Sequence, residues 1–151
     1  MVKWTETHTE LQNLMKQEIE AMRNLLGNMH QEEVFILQKN QHYVKELMEE
    51  RLHLISTLSL IRQNREDATE KLASMVDLPH SNLEELLPPE NENSWEIISL
   101  RDQIAALLDR INLQSSRNEM LVHLEAYQPA PQKKKKISIA TLPTDDYNDV
   151  A

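Results

Sequence analysis

The stretch Leu11–Val76, LQNLMKQEIEAMRNLLGNMHQEEVFILQKNQHYVKELMEERLHLISTLSLIRQNREDATEKLASMV, decides the fold. In its second half Val44, Leu47, Leu54, Leu58, Ile61, Ala68, Leu72 and Met75 recur in alternating steps of three and four, and Arg51 and Arg65 fill the two gaps. In its first half Leu11, Met15, Met22, Leu25, Met29 and Ile36 keep the same step, with Glu18 and Glu32 on the stripe. A 3.5-residue apolar period is the seam of a coiled coil. Folding the chain back between Gln41 and His42 sets Leu11 opposite Leu72, Met15 opposite Ala68, Met22 opposite Ile61, Leu25 opposite Leu58, Met29 opposite Leu54 and Ile36 opposite Leu47. The same register sets Glu18 opposite Arg65 and Glu32 opposite Arg51. A seam charge without a partner is strongly destabilising, and parallel self-pairing would bring like charges together, so the pattern predicts an antiparallel hairpin.

Composition agrees. Apolar residues make up 40% of the 151-residue chain, but only 4% are aromatic and Gly27 is its one glycine, which disfavours a turn-rich sheet protein and points to long helices. The net charge of −9, with Lys and Arg interspersed among acids, argues against nucleic-acid binding by the body. Without cysteine there is neither a disulfide nor a thiolate site. The apolar runs are too short for a membrane span, and MVKWTETHTE has no signal-peptide core, so a soluble cytoplasmic protein is expected.

Outward from the hairpin, Thr5 is the expected N-cap of a first helix reaching Gln38 and continuing through Gly27. The reversal falls at Lys39–His42 and a second helix runs from Gln41 to Met75, a hairpin of residues 1–76 roughly 50 Å long at the helical rise. Met48, Leu52, Ile55, Ser59 and Arg62 on one helix, and Leu14, Ile19 and Leu26 on the other, form second stripes that require a covering element. A linker over 77–93 follows: Asp77-Leu78-Pro79 stops the second helix, Ser81 starts one turn through Leu87, and Pro88-Pro89 ends it. Asn93 with Glu96 reads as a capping box for a third helix over 94–127. Ile97, Ile104, Leu108, Ile111 and Val122 are its expected seam, widened by Leu100, Leu107, Leu121 and Leu124; Ser115 and Asn118 thin it out distally. The basic and acidic tail 128–151 cannot bury a core and is expected to be disordered.

The sequence offers no catalytic constellation. None of the histidines His8, His30, His42, His53, His80 and His123 pairs with another at helical spacing, and His30 with Glu33 is the nearest approach to a metal pair. One glycine cannot form a phosphate loop. No enzyme, metal or cofactor is expected. Met15, Met22, Met29, Met48, Met75 and Met120 suit either core filling or a surface that adapts to partner helices. Lys133–Lys136 followed by the alternating Ile137-Ser138-Ile139-Ala140-Thr141-Leu142 reads either as a solvated linker or as a docking peptide.

Several stretches resemble the FlgN-type flagellar export chaperones: Leu25-Leu26, Glu32-Glu33 and Leu37; Leu47, Arg51-Leu52-His53-Leu54-Ile55, Leu58 and Arg62; and Leu107-Leu108, Ile111-Asn112, Arg117-Asn118 and Leu121. The tail Lys135-Lys136-Ile137-Ser138-Ile139 is similar to that of some enterobacterial members. Ser115 stands where the first of the family's paired asparagines would be, and the tail carries no Tyr-Gly pair, with Tyr127 or Tyr147 as the nearest substitute. The resemblance implies a cytoplasmic type III secretion chaperone. It would hold the C-terminal helices of hook–filament junction proteins and bring them to the export ATPase and the gate protein FlhA. On that expectation Ile104, Leu108, Ile111, Asn118, Met120 and Leu121 form the client face, open or closed by homodimerisation. Tyr127, Lys133, Lys134, Lys135, Lys136, Ile137 and Ile139 would dock on the export apparatus. The competing expectation is a structural coiled-coil adaptor or stalk component of a secretion machine.

Overall fold

The structure, a computed structural model, describes residues 2–75 and 92–127. They form three helices: α1 (Val2–Gln38), α2 (Gln41–Met75) and α3 (Glu92–Tyr127). No strand occurs among the described residues, and none of their helices is long and apolar enough to cross a membrane. The stretch 76–91, with the expected turn at Ser81–Leu87, and the tail 128–151 lie outside the described residues.

Helices α1 and α2 pair antiparallel in the register set by the seam charges, and Leu11, Met15, Met22, Leu25, Ala68 and Leu72 are buried between them. The reversal is a Schellman close: Asn40 N–H donates to the Phe35 carbonyl at 2.9 Å and Lys39 N–H to the Ile36 carbonyl at 3.1 Å. Lys39 takes the left-handed conformation, φ 61°, where glycine is the usual occupant. Phe35 stacks on Tyr43 across the turn with ring centroids 5.2 Å apart.

Helix α1 starts at Val2 rather than after a Thr5 cap. Trp4 packs against the core and Thr7 and His8 are buried, so tertiary packing extends the helix past its local capping signal. Helix α3 likewise starts at Glu92, which places Asn93 inside the helix instead of capping it.

Helix α3 runs parallel to α1. Glu96 meets Gln12 at 3.3 Å and Lys16 at 3.1 Å near one end, and Arg117 pairs with Glu33 near the other. The order is therefore up, down, up. Both α2 and α3 pack on α1, but among the described residues they share no packed face with each other. This arrangement makes α1 the middle helix, buried on two sides: Ile19 and Leu26, the second stripe of the sequence, are covered. The second stripe of α2 is not, since Leu52 is 70% and Ile55 42% exposed.

Gly27 lies on the solvent side of α1, and a Cβ placed there meets nothing within 4 Å. Gly27→Ala should therefore raise stability by about 1 kcal/mol, read as a shifted midpoint in urea with unchanged slope. His8 offers a second measurement. Its imidazole is buried with Nε2 unpartnered, and burial pushes its pKa below the ordinary 6.5, opposed by the nearby Glu96 carboxylate. The unfolded chain then takes up a proton at higher pH than the folded one. Stability from this group is full above 6.5 and declines as pH falls from 6.5 towards the lowered folded value. His8→Leu should lose that part of the decline in Tm between about pH 7.5 and about pH 5.

Candidate functional site

Two features stand out on this frame: a chain of buried polar groups through the middle helix, and apolar side chains left exposed on the flanks of α2 and α3 beside it.

The polar chain grows from the two seam carboxylates of α1. Glu18 is fully buried and meets Arg62 Nε at 3.0 Å and Arg65 Nε at 2.6 Å, the second contact being close but poorly aligned for a hydrogen bond. About four turns on, Glu32 accepts from Arg51 Nη2 at 2.9 Å. Arg51 Nε also donates to Asn28 Oδ1 at 2.8 Å, and Asn28 Nδ2 donates to the Leu47 carbonyl at 3.0 Å. From the other side, Asn118 Nδ2 donates to the same Glu32 Oε1 at 2.6 Å and to the Met29 carbonyl at 2.8 Å. Gln114 Nε2 closes the chain on Asn118 Oδ1 at 2.9 Å. One carboxylate oxygen of α1 thus holds both α2 and α3. The sequence pointed to the arginine half of this node through charge pairing; Asn118 was expected as a thinning of the α3 seam and part of the client face, and Asn28 and Gln114 were not singled out for this node.

The α3 residues against α1 are Ile97, Leu100, Ile104, Leu107, Ile111, Gln114, Asn118 and Leu121, of which Ile104, Gln114 and Leu121 are half-buried. This differs in phase from the expected seam: Leu108 is 41% and Val122 50% exposed. Of the expected client face, then, Ile111 and Asn118 are buried on α1, Ile104, Met120 and Leu121 are partly covered, and Leu108 is open. Tyr127 closes α3, while Lys133, Lys134, Lys135, Lys136, Ile137 and Ile139 lie outside the described residues.

The exposed flanks follow from the packing. Glu96 and Arg117 mark the flank of α3 that pairs with Lys16 and Glu33, away from α2. The opposite flank, Arg101, Leu108, Ser115 and Val122, is turned toward the α2 side. On α2 the flank beside its seam carries Met48, Ile55 and Arg62. Ile55 lies level with Asn28 of α1 and Leu108 about one turn away, so the two exposed side chains rise from two helices packed on α1.

No group of three or more His, Asp or Glu side chains that could hold a metal occurs among the described residues. Buried apolar side chains of the proximal α3 seam are worth about 1.5–3 kcal/mol each, against about 1 kcal/mol for each hydrogen bond of the node. Apolar contact therefore dominates the hold on α3 up to Ile111, and hydrogen bonding beyond it. Comparison with known families, characterised proteins and solved structures finds no match.

The Glu18 cluster can be tested directly. Glu18→Arg should cost about 3 kcal/mol in chemical denaturation, the low end for a broken buried pair because Arg62 and Arg65 keep some solvent contact. Glu18→Arg with Arg65→Glu should recover a substantial part of it, and equal loss in the single and double variants would refute the pairing.

Proposed function

We propose that the chain is a helical chaperone of a flagellar or related type III export system. In this reading it holds an amphipathic helix of a hook–filament junction-type protein in the cytoplasm and passes it to components of the export apparatus. The observation that carries the reading is the exposure of Ile55 on α2 and Leu108 on α3, on the flanks of two helices that both pack on α1. Apolar side chains rising from two helices suit a helix with anchors at helical spacing. The tail segment Lys133–Ile139 would supply the contact with the export apparatus.

A structural adaptor or stalk is the second reading. It is favoured by the seam between α1 and α2, whose two buried carboxylates both find guanidinium partners, as a rigid spacer would need.

Leu108→Glu with Ile55→Glu should abolish capture of a filament- or hook-associated protein from lysate while helicity and Tm stay near those of the parent, because both side chains already face solvent. Ile111 is unsuited to this test, since its burial on α1 confounds binding with folding. Truncation after Tyr127 should keep that client and lose an export component. Recovery of machine components alone, unaffected by the Leu108 and Ile55 substitutions, would favour the adaptor.

A further inference from the structure

We infer that α3 is built in two parts, and that its distal part, from Gln114 to Tyr127, swings off α1 as a unit while the proximal part stays docked. Up to Ile111 the α3 seam is Ile97, Leu100, Ile104, Leu107 and Ile111, all apolar and four of them buried. Beyond Ile111 the only buried side chain among the described residues of α3 is Asn118. Each of its bonds contributes modestly, because water takes over the freed groups once the segment lifts. When Asn118 leaves, Glu32 keeps Arg51 of α2 at 2.9 Å, so no buried charge is stranded. The Met29 carbonyl keeps its place in the α1 ladder and loses only a second donor. Gln114 and Asn118 remain paired on the departing segment. The Arg117–Glu33 pair lies near the surface, where solvent takes over both ions at little cost. Opening bares a strip of α1 carrying Met29, Glu32, Glu33 and Ile36. The occupant that strip fits is a helix chemically like the one that left: apolar, with a carboxamide facing Glu32 and a basic residue facing Glu33. The occupant rests on the client-helix reading; the opening does not.

The test is hydrogen exchange of the full chain, resolved along α3. Amides from Gln114 to Leu124 should exchange together, at one rate, with a step in protection between Ile111 and Gln114 and little dependence on low denaturant. Asn118→Ala should speed this group about fivefold to thirtyfold and leave the Ile97–Ile111 amides unchanged. Because the chain has no cysteine, Glu33→Cys with Arg117→Cys can be joined by a short bis-maleimide, which should slow the distal group alone. A smooth gradient of protection inward from Tyr127 would mean ordinary fraying and overturn the proposal. So would a common rate over all of α3. Client capture reads the second point separately. If the cross-link removes the step in exchange but leaves capture intact, the segment opens and the strip is not the client site.

Discussion

Everything in this molecule depends on two carboxylates placed where a long helix has no water to offer them. Glu18 and Glu32 sit on the buried stripe of α1, where a polar group is costly unless a donor from another helix meets it. That requirement fixes the register of α2, because only one alignment brings Arg65 and Arg51 to the same heights. It also reaches α3. Glu32 has lone pairs left after Arg51 has bound, and Asn118 takes one of them. A hydrophobic seam tolerates sliding by a heptad; one punctuated by two acids facing two arginines does not.

The hairpin was legible because its signal was redundant, with period, charge pairing and composition agreeing. Helix α3 was less so. Its existence and extent follow from the pattern, but it carries apolar residues on more than one side, and Leu108 and Val122 are as credible as Leu100 and Leu107 until the helix is laid on α1. Its direction was not expressed locally at all: it is fixed by contacts such as Glu96 with Lys16 and Arg117 with Glu33, between residues far apart in the sequence. The capping signals at Thr5 and Asn93 misled for the same reason. Local preference sets helix ends only to within a turn, and packing of Trp4 and His8 overrode it.

The candidate site shows the same division. Asn118 on an apolar stripe reads as weakness in the seam, yet its side chain makes three hydrogen bonds. A buried amide is informative only once its partner is known. The exposed stripe of α2 carries the complementary lesson. Met48, Leu52 and Ile55 have the spacing of a covered face, and α3 leaves much of it open by lying on α1 alone.

The up, down, up order has a consequence for geography. Helix α3 finishes alongside the hairpin turn, where Val34, Leu37 and Tyr43 are exposed and Lys39 turns the chain. The C-terminal end of α3 therefore lies at the turn pole, with the length of the hairpin separating it from the Trp4 and His8 pole. The described helices have a front and a back, and α3 closes at the front.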